Sequence, residues 1–351
     1  MALSFKRSNK AAKTLVGLDL DPAHVAAAEV YVNGSVAVQR GAVVALPAGV
    51  LRDGEVSDGP ALTAAIKGLW AEHDFPKVVR LGIANQRIVV RTLDLPLLED
   101  PKAIAAAVRF EAPDHIPMPM DEAVLDFQPL GAVTTPAGPR TRVVVVAVRR
   151  EMVERYMEAV PASGLKVASI DLSAFALVRS LHNKLTDDDG GLLYVNVAGL
   201  TNVAVASGEH CLFTRAAAGG LDAMVAALSD RRGLTTEHAT QWLGHVGLER
   251  PLEELEGDPE VVAAARAVLE EGVHQLADTV RNSLNFYRMQ ENAEAVQRAV
   301  LTGPAVSVAG FSERFATSLG MPVEPRVVGQ RGEIADAASL AVAAGLAVDA
   351  I

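Results

Sequence analysis

The chain has 351 residues, half of them hydrophobic, with aromatics at only 4% and 43 acidic against 32 basic side chains, a formal net charge of −11. That length exceeds one ordinary core and asks for two lobes, filled by small branched side chains rather than rings. The acidic balance offers no basic field to a polyanion, which argues against nucleic acid as a partner, and a single cysteine, Cys211, rules out an internal disulfide.

The opening MALSFKRSNKAAK is charged and is followed by no apolar core of signal-peptide type. The expectation is a cytoplasmic protein, with Lys6, Arg7, Lys10 and Lys13 read as a solvated tail. Residues 14–20, 25–32 and 35–45 form apolar or alternating runs, with turn signals at Asp21-Pro22 and Asn33-Gly34. They predict a three-stranded antiparallel meander. A helix over PALTAAIKGLWAEH follows, capped by Asp58, with Leu62, Ile66, Leu69 and Trp70 at helical spacing. A block of different texture comes next: VVRLGIA, IVVRTLDL, the helix DPKAIAAAVRFEA, AVLDFQPLG and RTRVVVVAV. It reads as a small inserted domain with its own sheet, and Met118, Met120 and Phe127 read as its core.

After a helix from Glu151 to Ala162 and the strand LKVASIDL, the chain repeats itself. GLLYVNVAG, TNVAVAS and EHCLFTRA form a second meander turned at Ser207-Gly208, and Asn196 stands where Asp19 stood half a chain earlier. A repeat of this span indicates two homologous lobes rather than a solenoid. The remainder is mostly helical, over 219–230, 235–247 and 259–291, then the strand QRAVLTG, the segment SVAGFSERFATSLG and a terminal helix in AASLAVAAGLAVDAI, predicted to be buried. No stretch approaches the roughly 18 uninterrupted apolar residues of a membrane span.

Two meanders whose first strands end at facing turns place those turns on either side of a cleft. Backbone N–H groups of such turns hold phosphate oxygens, and a carboxylate at the strand end, here Asp19, holds magnesium or its waters. A polyphosphate is the guest this arrangement suggests. Neither G-x-x-x-x-G-K-[ST] nor G-x-G-x-x-G occurs, so the reading owes nothing to a P-loop or a dinucleotide fold. His24 in the first turn has the chemistry to donate to a phosphate, with solvent exposure as its competing fate. Gly219-Gly220 admits a nucleotide or starts a helix. His238 and His245 lie seven apart with no third ligand beside them, too little for a metal site.

The two meanders resemble the phosphate loops of the actin, Hsp70 and sugar-kinase superfamily. TLVGLDL, LPAGVLRDGEV, VVRTLDLPLLED, AAAVRFEAPDHIPMPMDEAVLDFQPLG, VAVRREMVERYMEAV, EEGVHQLADTVRNSLNFYRMQ and AGFSERFATSLGMPVEP together resemble the PilM family of type IV pilus assembly proteins. The resemblance implies an α/β actin-like ATPase (ribonuclease H-like) fold of two lobes with an FtsA-type inserted α+β subdomain. It implies a first subdomain from 1–77, 171–188 and 336–351, an insertion over 78–170, a second ribonuclease H-like subdomain from 189–222 and 273–335, and a helical subdomain over 223–272. It further implies ATP and magnesium in the cleft, and attachment to the inner face of the plasma membrane through the N-terminal tail of a PilN-like protein rather than by direct insertion. The tail would lie in a groove involving the insertion. Other pilus assembly proteins and a motor ATPase are implied partners, and self-association is left open.

This sequence departs from the family where phosphate would bind. The first loop reads DLDPAHVAA: Asp19 is kept, Asp21 replaces a glycine, and Pro22 and Ala23 replace hydroxyl residues. A second carboxylate repels phosphate and a proline deletes a donor. In the second loop, NVAGLTN, Asn196 replaces the aspartate and Ala198 a glycine, while Gly199, Thr201 and Asn202 keep part of the turn. The adenosine loop survives as Gly303 followed by Pro304, and Asp278, Arg281 and Asn282 resemble residues that flank adenosine. Two readings follow: a scaffold with a degenerate nucleotide site, or a magnesium-dependent ATPase. Hydrolysis needs a positioned base besides the metal, and Glu29, on the second strand, is the nearest further carboxylate in sequence whose direction is open.

Overall fold

The computed structural model describes residues 15–348 except 34, 185, 188, 189, 291 and 292. The basic N-terminal residues and Gly34 of the predicted Asn33-Gly34 turn lie outside the described residues. The first meander forms as β1 (Val16–Leu20), β2 (His24–Val32) and β3 (Val36–Ala45). A short hairpin of β4 (Leu51–Arg52) and β5 (Glu55–Val56) leads to helix α1 (Gly59–Glu72), whose N-terminus is capped as predicted, Asp58 Oδ1 accepting from Ala61 N at 3.0 Å. Strand β6 (Val78–Ile83) then enters the first sheet parallel to β1.

The inserted sheet comprises β7 (Val89–Pro96), β8 (Ala123–Thr135) and β9 (Gly138–Arg149) in the order β7-β9-β8, all antiparallel, with α2 (Pro101–His115) between β7 and β8 in the chain. Leu93 and Leu95 of β7, Ile104, Val108 and Ala112 of α2, and Val143 and Val145 of β9 make a separate small core. Met118, Met120 and Phe127 pack against it, half-buried. Helix α3 (Arg150–Ala162) returns the chain to the first lobe, where Thr63 of α1 donates to Ala159 O at 3.0 Å. Strand β10 (Lys166–Leu172) then pairs parallel with β6. The interval 78–170 expected for the insertion thus includes β6 and most of β10, which hydrogen-bond in the first sheet.

Helix α4 (Ser173–Leu181) was not legible in the sequence. It is nine residues long and all but one of them are buried, between β10, α9 and the second lobe's sheet, so it shows under three turns of pattern and no solvent face. The second meander follows as β11 (Gly191–Val197), β12 (Leu200–Ser207) and β13 (His210–Ala218). Helices α5 (Leu221–Arg232), α6 (Thr236–Val246) and the 30-residue α7 (Pro259–Arg288) pack on one another. Strand β14 (Val296–Thr302), α8 (Phe311–Leu319) and the short strands β15 (Val323–Pro325) and β16 (Gly329–Gln330) lead to α9 (Ala341–Ala347). As predicted, α9 is buried throughout; it lies so close on β1 that a Cβ at Gly17 would stand 1.8 Å from Ala343 O.

The two large sheets carry the same plan. The first runs β3-β2-β1-β6-β10, extended by β16 beside β3, and the second runs β13-β12-β11-β14-β15. In each, strands one to three are antiparallel and strands four and five run parallel to strand one. No described helix is long and apolar enough to cross a membrane.

Candidate functional site: two facing hairpin turns

The β1–β2 and β11–β12 turns confront each other, as the duplicated meanders require, and they touch. In the first turn Asp21 and His24 exchange backbone bonds, Asp21 N to His24 O at 3.0 Å and His24 N to Asp21 O at 3.1 Å, with Pro22 and Ala23 at the tip. The Asp21 side chain reaches across the lobes. Its Oδ1 accepts from Gly199 N at 2.8 Å and its Oδ2 from Leu200 N at 3.1 Å, while Oδ1 also accepts from Ala23 N at 2.9 Å. Asp21 is 5% exposed, so these three N–H groups are what compensates the burial of its charge. A Cβ on Gly199 would stand 2.3 Å from Asp21 Oδ1 and 2.7 Å from Ala23 N, so glycine alone fits there.

His24, for which solvent exposure was expected, is instead buried: the start of β2 lies under the contact between the turns. Its Nδ1 is 3.8 Å from Asp21 Oδ1, beyond a hydrogen bond, and its Nε2 has no hydrogen-bond partner among the described residues. Asp222, in the first turn of α5, is the third acidic group here, its Oδ2 3.1 Å from the same Gly199 Cβ position. Burial pushes the Asp222 carboxyl up to about 6; the Asp21 charge adds to the rise and His24 opposes it.

Asp19 points elsewhere. It pairs with Ala26 across β1–β2, is 6% exposed, and its Oδ1 lies 3.5 Å from the position a Cβ on Gly82 would take, with Ser173 Oγ beside it. Burial first and Asp21 second push its carboxyl up to about 8, against hydrogen bonds from Ser173 and the Leu20 backbone. Glu29 pairs with Arg40 across β2–β3 and faces away from the turns.

In the second lobe, Asn196 pairs with Asn202 across β11–β12, both buried, and Asn196 Oδ1 packs on Gly303, whose φ of 93° only glycine adopts freely. Pro304 opens the helical turn that follows. Thr201 donates its hydroxyl to Gly219 O at 2.7 Å, and Gly220 lies against Ala198, whose oxygen would be 2.0 Å from a Cβ there. Beyond Gly219 and Gly220 opens a cavity of about 210 Å³, walled by Ala223 and Met224 of α5 and by Gly272, Gln275 and Thr279 of α7. Asp278, Arg281 and Asn282 do not line it. Asp278 and Asn282 are exposed, and Arg281 pairs with Asp278 and donates to Ser318 O on α8. On α7 the positions facing the cavity fall at 272, 275 and 279, a register the resemblance did not supply.

With the turns in contact, the Asp21 carboxylate already holds the N–H groups that a phosphate would use. A phosphate seated on the second turn would have to displace the Asp21 carboxylate from Gly199 and Leu200 and would meet Asp222. The interlobe hollow beside Asn202, lined also by Ile83, Asn85, Leu172 and Arg215, measures about 20 Å³, room for one water. Among the described residues, no group of three or more His, Cys, Asp and Glu side chains is placed to hold a metal ion. Sequence reading marked Asp21 as an unwelcome charge; the signal it missed is that a buried carboxylate needs donors, and the facing turn has them.

Two ribonuclease H-like sheets of identical order, meeting at the turns after their first strands, define an actin-like protein. Solved structures with this fold include the ethanolamine utilization protein EutJ from Carboxydothermus hydrogenoformans, 15% identical over 98% of this chain and 92% of that one with a TM-score of 0.55. MreB5 of Spiroplasma citri bound to ADP is 12% identical over 94% of each chain with a TM-score of 0.54. Residues 17–350 match the family model described as type IV pilus assembly protein PilM, and the chain belongs to that family. It is also similar to a chain of a PilM-PilN type IV pilus biogenesis complex, 26% identical over 96% of this chain and 98% of that one, with a TM-score of 0.76.

Proposed function

We propose that this protein is a cytoplasmic actin-like scaffold of the type IV pilus assembly machinery. It grips the N-terminal tail of a PilN-like inner-membrane protein and carries a degenerate nucleotide site between its lobes. The observation that carries the reading is full-length similarity to a PilM-PilN complex in a chain whose phosphate turn is filled by its own Asp21. The four-part subdomain division, the further pilus partners and the location at the inner face of the membrane belong to this proposal.

We assign the tail to the groove of about 450 Å³ where the insertion meets the second lobe. It runs past Val89 and Arg91 at the start of β7 and Phe213 and Arg215 of β13, with Met118 and Phe286 supplying apolar surface. Strands β7 and β13 are edge strands of their sheets, so an extended peptide finds backbone partners there. Exposed Arg149 and Arg215 suit the carbonyls and acidic side chains of such a peptide.

Calorimetric titration with a synthetic peptide of the cognate PilN tail tests the assignment. Tight binding, weakened about tenfold or more by Arg149→Glu with Arg215→Glu, is expected. Absence of peptide binding to the intact protein would sink the scaffold reading. Micromolar ATP affinity with a turnover abolished by Asp19→Ala would establish the magnesium-dependent ATPase instead.

A further inference from the structure

We propose that Asp21 is a built-in ligand: its carboxylate occupies the anion cradle of the second turn and holds the two lobes closed with no nucleotide present. The inference rests on reading the cleft as a former nucleotide site, and it turns on four observations. The first is geometric: one carboxylate accepts from two successive backbone N–H groups of a turn 178 residues away, Gly199 and Leu200, and from Ala23 on its own turn. Successive N–H groups converging on one anion are what a phosphate would use. The second is burial, since the carboxylate is enclosed and keeps two of its three donors only while the lobes stay together.

The third is that the cradle is shaped around this guest. Gly199 leaves no room for a side chain between its own Cα and Asp21 Oδ1, and Pro22 at the tip removes a donor that the first turn would otherwise offer to a free phosphate. The fourth is a second contact at the same seam. Leu200 Cδ1 lies 3.4 Å from the Cβ position of Gly54 in the β4–β5 turn, and that turn is fixed from behind by Tyr156, which donates to Gly54 O at 2.8 Å, and by Asn85, which donates to Asp53 O at 2.6 Å. The residue whose N–H is held by Asp21 is thus also seated by its side chain on the first lobe.

Closure is here supplied by a group of the chain itself, present at unit stoichiometry. The partner groove therefore has one standing conformation, unresponsive to the nucleotide concentration around it.

Amide hydrogen exchange on the full chain tests this without nucleotide or partner, so its failure is distinguishable from failure to bind the PilN tail. In the unmodified protein, the Gly199 and Leu200 amides should exchange slowly in the absence of ligand, and millimolar MgATP should leave them unchanged. Asp21→Ala should accelerate both by about tenfold or more while Val203 and Val205 in the body of β12 keep their protection. Gly199→Ala attacks the same contact from the other lobe and should accelerate Leu200 similarly, which guards against an Asp21 variant that merely misfolds; circular dichroism monitors both. Slow exchange that survives Asp21→Ala, or protection in the unmodified protein that appears only with MgATP, would overturn the proposal.

Discussion

The β1–β2 and β11–β12 turns hold equivalent places in equivalent sheets, yet one presents a carboxylate and the other presents N–H groups. Their backbones are bolted alike: the chain returning from the third strand donates to the turn in each lobe, Leu46 N to Ala23 O at 2.8 Å and Leu221 N to Ala198 O at 3.1 Å. The side chains have parted company. In the first turn Asp21 supplies a buried charge, and in the second Gly199 clears a path to two donors. Duplication fixes where two turns meet, because strand order and twist fix it. What they exchange on meeting is set by single residues.

The largest way to break the comparison is to break a bolt. Gly220→Ala drives a Cβ into Ala198 O, backbone against backbone, and should cost about 4 kcal/mol or prevent folding, read by urea unfolding of the purified protein.

A second buried carboxylate, away from the turns, serves as the control for Asp21. Asp187 accepts from Arg326 at 2.6 Å and from Arg298 at 3.0 Å. Although burial pushes the Asp187 carboxyl up, Arg326, the Asn183 N–H and Thr186 outweigh it and hold it at about 2. Asp187→Ala leaves both guanidiniums without that partner and should cost about 3 kcal/mol. Asp21→Ala should cost less, about 2 kcal/mol, because the N–H groups it frees lie at a seam that water can enter. Equal losses at the two positions would mean that the seam is as dry as a core.

Titration separates the two kinds of buried aspartate. Asp19 holds its proton more tightly folded, at about 8, than unfolded, at 3.8, so its contribution is fully present below 3.8 and is lost as pH rises through 8. Stability should fall across that window by up to about 1.4 kcal/mol per pH unit, and Asp19→Asn should flatten the slope in urea midpoints measured from pH 5 to 8. Asp187 has the opposite sign: its contribution stands above 3.8 and disappears as pH falls through 2. The smallest effect belongs to Asp278→Ala. That carboxylate is exposed and pairs only with Arg281 among the described residues, so the change should stay within about 0.5 kcal/mol and leave the 210 Å³ cavity intact.

Much of the architecture was legible because it is written in short-range patterns. Alternation marked β1 to β3 and β11 to β13, and Asp58 marked the start of α1; the change of texture read from residue 78 onward announced the inserted sheet but took in β6, which belongs to the first sheet. Helix α4 escaped because it is nine residues long with no solvent face, and β15 and β16 because two or three residues carry no pattern. At the site, the sequence flagged Asp19, Asn196, Gly199 and Asp21, but read Asp19 as the charge and Asp21 as the intruder. Asp19 sits against Ser173 and Gly82, its carboxyl pushed up by burial, and Asp21 carries the contact.

By itself the sequence determined the family, the two matched lobes and the turns that confront each other, since these follow from strand period, chain order and turn residues within a few positions of one another. Only the tertiary structure decided that the turns touch, that the Asp21 carboxylate fills the second turn, and that Asp278, Arg281 and Asn282 look away from the cavity. Hydrogen bonds between groups 178 residues apart and the rotation of a 30-residue helix depend on how the lobes pack, and packing has no local signature.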